Sequence, residues 1–350
     1  MTRLQHKLRR NRFLKAHHDL STTTFSPFIS FPFFMSTSFR HEPVLAKEVV
    51  EFLRPAPGRT IIDGTLGGGG HSGLLLKGGA RVIGFDRDPE ALAHTREFLS
   101  SHGDRFSALE GNFSGAVEAL TAVGISQADG VLLDLGVSSH QLDTPERGFS
   151  FQREGPLDMR MGKSGPTAAD LVNTLPASEL ARIFREYGDE PRAIQFAARI
   201  VRAREKKQIE TTAELAELIA AGRTGPRHPA TRVFQALRIA VNDEIVSLER
   251  ALPAFTSILA PGGRLAVITF HSLEDRIVKH FFRRHAMSEI DDPTWPAPRP
   301  NPEYLFEALT PRSVTASPDE LSSNPRSRSA RLRVVERRGS TSTLNQGGRP

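Results

Sequence analysis

The chain has 350 residues, a formal net charge of +6 and no cysteine. Its length allows one large or two ordinary domains, and its hydrophobic and charged fractions, 38% and 25%, are those of a globular protein. The absence of cysteine excludes disulfides and thiolate metal sites, and no apolar run approaches the roughly 18 residues of a membrane helix.

Residues 1–40 differ from the rest of the chain in charge. They hold seven Lys/Arg and one acid, whereas the remaining 310 residues hold 39 basic and 39 acidic residues. The positive net charge is therefore no evidence that the rest of the chain binds nucleic acid. We interpret residues 1–40 as a disordered basic extension or as a misassigned start with Met35 as the true first residue; an organellar transit peptide is a third interpretation.

From His41 onward, short apolar runs alternate with helical patterns, beginning with a helix over His41–Leu53. Such alternation predicts an α/β fold with a doubly wound parallel sheet. The predicted strands are Thr60–Asp63, Arg81–Asp86, Phe106–Glu110 and Gly130–Asp134, with helices at Pro89–Ser101 and Ala116–Val123.

The strand pattern stops between about residues 145 and 250. Helices are predicted there at Ser178–Tyr187, Arg192–Lys206, Thr212–Ala221 and Arg232–Ala251. A fifth strand follows at Pro261–Phe270, a helix at Leu273–His285 and a last strand at Ala330–Glu336, with mostly loop over 287–328. We therefore predict a discontinuous core, 41–145 and 251–338, a helical substrate-recognition domain inserted at 146–250, and a flexible tail at 339–350.

A glycine-rich turn follows the first predicted strand, between Asp63 and His71. A second strand ends in Asp86, where a carboxylate can accept hydrogen bonds from ribose hydroxyls. This layout is typical of a nucleotide-type ligand at the carboxyl ends of parallel strands. Strand-end capping is the structural alternative for Asp63, and helix capping for Asp86, although Asp88 suits that second role better.

Two ligands compete for the glycine turn. Gly68, Gly70 and Gly73 match the dinucleotide pattern G-x-G-x-x-G, but four consecutive glycines satisfy many patterns. S-adenosylmethionine instead carries an ammonium group, for which Asp63 is a direct or water-mediated partner. The same carboxylate would face a pyrophosphate unfavourably, so the loop favours the methyl donor.

Three further strand-end segments carry candidate site residues. Asp134 leaves the fourth strand and could bind the cofactor or accept a proton, or merely cap the loop; Gln141 follows it. Phe113, after the third strand, could stack on adenine or pack in the core. After the fifth strand, Ser272 with Asp275 fits a capping box, which leaves His271 as the site candidate.

Three basic stretches favour a polyanionic substrate. The segments 147–151 and 155–160 combine Arg147 and Arg160 with aromatic Phe149, as loops that clamp a base do. The segment 227–238 places Arg232 and Arg238 on roughly one helix face, and 325–333 is the third stretch. Each stretch alone is more often a solvated face than an RNA site.

Seven motifs together resemble those of the RsmH (MraW) family. They run in the family's order from about His41 to Arg338: His41-Glu-Pro-Val-Leu, Asp63-Gly-Thr-x-Gly-x-Gly-Gly-His71, Asp134-Leu-Gly-Val-Ser-Ser139, Arg147-Gly-Phe-Ser-Phe151, Gly155-Pro-Leu-Asp-Met-Arg160, His228-Pro-Ala-Thr-Arg232 and Phe270-His-Ser-Leu-Glu-Asp-Arg-Ile-Val-Lys279. Motifs of this length are highly specific.

The resemblance implies a Rossmann-like class I methyltransferase that uses S-adenosylmethionine to methylate N4 of a cytidine in the decoding region of 16S rRNA. It implies cofactor contacts at Gly69, Gly70, His71, Asp86, Phe113, Asp134 and Gln141, beside Asp63. Substrate contacts are expected at Arg147, Phe149, Arg160, His228, Arg232 and Arg238. Asp134 and His271 are the catalytic candidates, with Asp134 or a neighbouring carbonyl polarising the amine and His271 near the base, and no metal is expected.

Two features depart from the family pattern. The family has Pro before the glutamine, where this chain has His140, and residues 1–40 have no family counterpart. The expected location is the cytoplasm, or an organelle if the extension is a transit peptide. The expected partner is 16S rRNA, within the small ribosomal subunit, with no membrane and with a monomer or a homodimer left open.

Two other functions remain open at this stage. The glycine pattern alone would also suit an NAD-dependent oxidoreductase. A non-enzymatic RNA-binding assembly factor could use the donor pocket only structurally.

Overall fold

The computed structural model describes residues 43–221 and 228–339. The predicted extension, residue His41 of the first motif, Arg227 and nearly all of the predicted tail lie outside the described residues. Within the described ranges, no helix combines the length and the apolar character needed to cross a membrane.

The strands of the described chain are β1 (Thr60–Asp63), β2 (Arg81–Asp86), β3 (Phe106–Glu110), β4 (Ala128–Asp134), β5 (Leu259–Thr269), β6 (Glu289–Ile290), β7 (Arg299–Pro300), β8 (Phe306–Ala308) and β9 (Arg331–Arg337). In this part of the chain seven strands form one sheet in the order β3-β2-β1-β4-β5-β9-β8. The first five pair in parallel, and β9 and β8 are antiparallel. The predicted α/β fold with a doubly wound, mostly parallel sheet is confirmed.

The helices of the described chain are α1 (Ala46–Leu53), α2 (Gly70–Lys77), α3 (Pro89–Phe98), α4 (Ala116–Ala122), α5 (Ser139–Asp143), α6 (Ala168–Thr174), α7 (Ala177–Gly188), α8 (Ala193–Arg204), α9 (Thr212–Ala220), α10 (Ala230–Asn242), α11 (Glu244–Ile258), α12 (Ser272–Ala286) and α13 (Pro318–Ser323). Helices α6 to α10 and the start of α11 occupy the segment between β4 and β5 that lacked a strand pattern.

Successive residues of the central strands belong to different clusters of buried side chains. Ile61 of β1 shares a cluster with Leu53 of α1 and Leu76 of α2. Its neighbour Ile62 shares a cluster with Phe255 of α11. Because side chains alternate along a strand, the sheet is covered on both faces, which explains the nearly continuous apolar runs of its parallel strands.

Helices α6 to α10 enclose a separate cluster of buried side chains. All of its members lie between Phe149 and Leu237, and they include Phe184 of α7 and Phe196 of α8. A core of its own is what an inserted domain requires. The domain boundaries at 146 and 250 stay a prediction.

The predicted single helix over Arg232–Ala251 is wrong. Helix α10 ends at Asn242, and Asp243 has a left-handed backbone with φ 50° before α11 begins. The side chain of Asn242 accepts a hydrogen bond from the Met161 amide and donates to the Met159 carbonyl, both at 2.8 Å. Those bonds place the end of α10 against the loop that precedes α6. Helix α11 then continues to Ile258.

The segment 287–328, predicted to be mostly loop, contributes a strand to the main sheet. Strand β8 pairs with β9, and its Phe306 is fully buried. Helix α13 lies in the same segment, and α6 was also missed. These elements are short, so their periodicity is too brief to detect.

We predict that Gly155→Ala destabilises the protein. An added Cβ at Gly155 would overlap the carbonyl oxygen of Pro145, and the backbone there is held by Thr212, whose amide donates to the Gly155 carbonyl at 2.9 Å. We expect a loss of about 1–3 kcal/mol in the free energy of unfolding, because the backbone must shift. Gly115→Ala is the control, since its added Cβ meets no atom within 4 Å. Equal urea midpoints for the two variants would contradict the prediction.

Candidate functional site

A cavity of about 400 Å³, here called the central cavity, opens at the carboxyl ends of β1, β2, β4 and β5. Its volume lies in the range of about 300–1,000 Å³ that small-molecule sites occupy. The predicted site residues that line it are Gly70, His71, Asp86, Phe113, Asp134, Gln141 and Arg238. Most of the predicted cofactor residues therefore lie together at one sheet edge, and their contact with a cofactor stays a prediction.

The glycine turn between β1 and α2 forms one wall. Gly67 and Gly69 have φ values of 49° and 77°, which glycine adopts without Cβ strain. Gly69 precedes the first residue of α2, and an added Cβ there would lie 2.7 Å from Cγ2 of Thr95. Gly70 lines the cavity, whereas Gly69 is not among the lining residues. Gly69 thus shapes the turn, and its direct contact with a cofactor stays a prediction.

Asp86, at the end of β2, holds this turn in place. Its Oδ2 accepts a hydrogen bond from the Gly67 amide at 2.7 Å, and its Oδ1 accepts one from the Asp88 amide at 2.8 Å. Removal from solvent raises the pKa of Asp86 to about 6, although the two amide bonds oppose the shift. The group is ionised at neutral pH and keeps lone pairs for further donors.

Asp63 does not line the central cavity. Its side chain is buried, Oδ2 accepts a hydrogen bond from the Ser72 hydroxyl at 2.7 Å, and Oδ1 accepts one from the Thr65 amide at 3.2 Å. Burial raises the pKa of Asp63. The carboxylate links β1 to α2, as the strand-end alternative predicted. Because Asp63 does not line the cavity, its direct contact with the ligand ammonium stays a prediction.

His71 and Asp134 form a pair on the cavity wall. Nε2 of His71 lies 3.5 Å from Oδ2 of Asp134. Both ring nitrogens of His71 and Oδ1 of Asp134 are buried and have no hydrogen-bond partner among the described residues. Buried polar atoms are normally paired, so these atoms are candidates for contact with a ligand. The Asp134 backbone is fixed because its amide donates to Oγ1 of Thr65 at 2.6 Å.

Phe113 and Gln141 line the cavity with different degrees of freedom. Phe113 is half-buried and packs against the cluster that contains Ile62 and Phe255. Its position is compatible with both predicted roles, stacking on adenine and packing in the core. The Gln141 amide is already engaged at both ends: Oε1 accepts from the Ser138 amide at 3.0 Å, and Nε2 donates to Oδ2 of Asp88 at 3.1 Å. Gln141 thus holds α5 against the end of β2.

The arrangement of Arg147 and Phe149 contradicts the predicted clamp on an exposed base. Nη1 of Arg147 donates to Oδ2 of Asp88 at 2.6 Å, and its Nη2 donates to the carbonyls of Arg160 and Met161 at 3.0 and 2.9 Å. Phe149 is buried in the core of the helical insertion. The guanidinium is neutralised and the ring is covered, so both residues support the fold.

Arg160 is also committed within its own loop. Its Nε and Nη2 donate to the two oxygens of Asp158 at 2.9 and 2.7 Å. The guanidinium keeps the pKa of Asp158 below its usual value despite partial burial. A contact of Arg160 with substrate stays a prediction, and it would have to use an already paired cation.

The basic residues of α10 do not form one exposed face. His228 and Arg232 are exposed at its start, where Nη1 of Arg232 donates to the Asp189 carbonyl at 2.9 Å. Arg238 lies six residues further along the helix, a little under two turns, and lines the central cavity. Its Nε and Nη2 donate to the two oxygens of Glu244 at 2.8 and 2.7 Å. The predicted shared face of Arg232 and Arg238 is wrong.

The capping assignment at α12 is wrong by one residue. His271, not Ser272, is the N-cap, and its Nδ1 accepts from the Glu274 amide at 3.4 Å. Glu274 is the acid at the third helical position, and its Oε2 accepts from the Phe270 amide at 2.9 Å. His271 therefore has a structural role, and it is not among the residues that line the cavity.

Sequence reasoning missed Asp88, Glu244 and Glu274. Asp88 was seen only as a cap, although its buried carboxylate also receives Arg147 and Gln141. Glu244 and Glu274 line the central cavity. With His271 they form, in the described part of the chain, a group of possible metal ligands within 4.8 Å of one another. Because Arg238 already neutralises Glu244, we keep the prediction that no metal is needed.

Comparisons with known proteins agree over nearly the whole described chain. The family model described as "MraW methylase family" matches residues 38–338. Ribosomal RNA small subunit methyltransferase H of Anaeromyxobacter sp. (strain K) is 53% identical over 308 residues, which cover 87% of this chain and 99% of the relative. The protein of that name from Pelobacter propionicus is 52% identical over 309 residues, with 85% and 99% covered.

We predict that Arg147→Ala is strongly destabilising. The Asp88 side chain is 3% exposed and would lose its cation, and breaking a buried pair from one side costs about 3–5 kcal/mol. Arg182→Ala is the control, because that side chain is 44% exposed in its pair with Glu179 and should cost less than about 1 kcal/mol. Urea denaturation measures both values. Similar losses for the two variants would refute a structural role for Arg147.

Proposed function

The chain belongs to the MraW methylase family, and on that premise we propose that it uses S-adenosylmethionine to methylate the exocyclic N4 amine of a cytidine in the decoding region of 16S rRNA. The observation that carries the proposal is the central cavity, where His71 and Asp134 offer buried, unpaired polar atoms beside the glycine turn. Its relatives are named small-subunit rRNA methyltransferases and match this chain over almost their full length.

The cavity fits this cofactor in size and in chemistry. When bound, S-adenosylmethionine supplies an electrophilic methyl group on a positively charged sulfur. The carboxylate of Asp134 gives its part of the lining a negative charge, which suits a cationic ligand. We assign Asp86 to the ribose hydroxyls, and Gly70 and His71 to the wall against which the cofactor lies.

The chemistry requires that a weak nucleophile be held in place. The lone pair of a cytosine amine is delocalised into the ring, so the nitrogen must be held in line with the methyl group. An acceptor must also take a hydrogen bond from its N–H as the nitrogen becomes pyramidal. Positioning of this kind contributes up to about 7–11 kcal/mol in well-oriented reactions. We propose that Oδ1 of Asp134 accepts the amine hydrogen bond, because this oxygen is buried and has no partner among the described residues.

The imidazole of His71 limits the freedom of Asp134. Its Nε2 is 3.5 Å from Oδ2, and Oδ1 keeps no hydrogen-bond partner among the described residues. We assign His71 to orienting Asp134 as well as to contact with the cofactor. His271 caps α12 and lies outside the lining, so we place it behind the site rather than at the reacting atoms.

The helical insertion is the proposed site of RNA contact. His228 and Arg232 are exposed at the start of α10, and the shallow surface between α8 and α9 carries Arg202 and Lys206. Arg232 donates to a backbone carbonyl, which leaves its charge free to attract phosphate. We propose that the protein acts in the cytoplasm on rRNA within the small subunit, as a monomer or homodimer.

The function predicts N4-methylcytidine in small-subunit rRNA. Purified protein with S-adenosylmethionine should transfer labelled methyl groups to small ribosomal subunits or to 16S rRNA from cells that lack this protein. Mass mapping should then find the added methyl on a cytosine amine. Binding of the cofactor without transfer would favour the assembly-factor alternative, and a methyl on another atom would reject the cytosine assignment.

Asp134→Asn should lower turnover by at least about 100-fold, the typical effect of removing one electrostatic contact to a transition state. Asp129→Asn is the control, because Asp129 lies toward the opposite end of β4, where it accepts from the Thr60 amide. Affinity for S-adenosylhomocysteine is measured separately by calorimetry. Full turnover in Asp134→Asn would remove the acceptor role.

Asp86 predicts a pH dependence of cofactor binding. Its pKa is raised to about 6 in the free protein, and ribose hydroxyls prefer the ionised form, so binding should lower that pKa. Affinity for S-adenosylhomocysteine should therefore hold at pH 7–8 and fall as pH drops below 6, by up to about tenfold per unit. Asp86→Asn should bind more weakly with a flatter profile. Identical profiles for both proteins would remove the ribose assignment.

A further inference from the structure

A buried ionic cluster contributes to the wall of the central cavity. Arg238 of α10 pairs with both oxygens of Glu244 of α11, and Oε1 of Glu274 of α12 lies 3.1 Å from Nε2 of His271. The exposed fractions of these side chains are 16%, 10%, 3% and 9%, in that order. Arg238, Glu244 and Glu274 all line the central cavity.

The cluster lies at the same sheet edge as Asp134. Asp134 of β4 is in register with Ile268 of β5, and the amide of Phe270, two residues later, donates to Glu274. Strand pairing therefore fixes the cluster beside the proposed amine acceptor.

Helix capping explains only part of the cluster. The capping box at α12 uses Oε2 of Glu274 and Nδ1 of His271. It does not require Arg238 or Glu244, and Asn242 already ties the end of α10 to the loop that precedes α6. Burying a further ion pair is costly, and its location in a ligand cavity points to recognition.

A cation is a poor occupant for this wall. The Glu244 carboxylate is neutralised by the guanidinium. Burial opposes ionisation of Glu274, but the contact with His271 and, to a smaller extent, the charge of Arg238 keep the pKa of Glu274 below its usual value. A metal ion would have to displace or repel Arg238. A neutral group that offers both a donor and an acceptor suits a paired Arg and Glu better.

We propose that the Arg238–Glu244 pair reads the donor and acceptor edge of the target base. Glu244 accepts from the exocyclic amine of cytosine, and Arg238 donates to the adjacent ring nitrogen or to the carbonyl oxygen. This is the pairing that carboxylates make with the cytosine amine in nucleic-acid recognition. Glu274 and His271 are positioning residues. The negative charge of Glu274 attracts Arg238, and the capping box that His271 and Glu274 form fixes the start of α12.

The assignment explains discrimination against uracil. Uracil carries an oxygen acceptor where cytosine carries the amine, so the Glu244 carboxylate would face a second acceptor. A buried site built for a donor rejects an analogue that lacks it. The inference rests on the proposed function, since it names the residues that choose the base for that reaction.

The test compares Glu244→Gln with Glu336→Gln on small ribosomal subunits. Glu336 also pairs with an arginine, since Nε and Nη2 of Arg264 both lie 2.8 Å from its Oε2. Arg264 is in register with Gly130 of β4, four residues before Asp134, and is not among the residues that line the cavity. We expect Glu244→Gln to lose about 10- to 100-fold in kcat/KM. Affinity for S-adenosylhomocysteine and the melting temperature should match those of Glu336→Gln, which keeps wild-type turnover.

A second measurement follows base choice directly. Transcribed 16S rRNA with uridine in place of the target cytidine is used as a competitive inhibitor of methyl transfer. The wild type should bind the cytidine RNA more tightly than the uridine RNA. In Glu244→Gln the ratio of the two affinities should fall about tenfold, because the glutamine amide can donate a hydrogen bond to the uracil oxygen. Unchanged preference and unchanged kcat/KM in Glu244→Gln would overturn the proposal.

Other outcomes are equally decisive. Loss of folding or of S-adenosylhomocysteine binding in Glu244→Gln, but not in Glu336→Gln, would make the pair structural and overturn the proposal. A wild-type protein that places no methyl on a cytosine amine defeats the proposed function itself. A wild-type protein that does so, beside a Glu244→Gln variant that behaves identically, defeats only base reading.

Discussion

The carboxylates of Asp86 and Asp88, at the end of β2 and just beyond it, hold the rest of the site together. Asp86 fixes the glycine turn through the Gly67 amide, and Asp88 caps α3 while it receives Gln141 and Arg147. The first carboxylate shapes the cavity wall, and the second ties down the entrance to the helical insertion. Because both follow one strand, a displacement of that strand end would disturb both walls together. Breaking such buried carboxylate bonds is expensive, so the edge should be rigid.

The polar atoms that lack partners are concentrated at this edge. Among the described residues, buried side-chain polar atoms without a hydrogen bond belong to His71, Asp134 and His271. Elsewhere in the same ranges such atoms are paired, as folding normally demands. His71 and Asp134 line the cavity, and His271 belongs to the ionic cluster, where its Nε2 lies 3.1 Å from Oε1 of Glu274. Leaving buried polar atoms without hydrogen bonds costs folding free energy, and such costs are typically concentrated at functional sites. Binding of a polar ligand is the simplest explanation for their position here.

Sequence patterns predicted the sheet and the cofactor edge because both depend on local order. Apolar runs ending in Asp63, Asp86 and Asp134 define parallel strands whose carboxyl ends must meet. The predicted base clamp at Arg147 and the predicted shared face of Arg232 and Arg238 were wrong because the sequence around an arginine does not show which residue it pairs with. Asp88 lies 59 residues before Arg147, and Glu244 meets Arg238 only because the chain breaks its helix at Asp243. The same limit applies to His271, since a histidine cap looks like a free imidazole until its neighbours are known.

The distribution of charge separates two tasks within one cavity. At the glycine turn, Asp86 and Asp134 present carboxylates without a guanidinium bound to them in the described chain, which suits a cationic cofactor. Elsewhere in the lining, Arg238 balances Glu244, which suits a neutral base with alternating donors and acceptors. Asp134 of β4 is in register with Ile268 of β5, and the amide of Phe270, two residues later, donates to Glu274. An amine held by the Arg238–Glu244 pair would thus lie close to Asp134 and to the methyl group of the cofactor. The register of two strands, rather than a mobile loop, would set the distance between the amine and the methyl group.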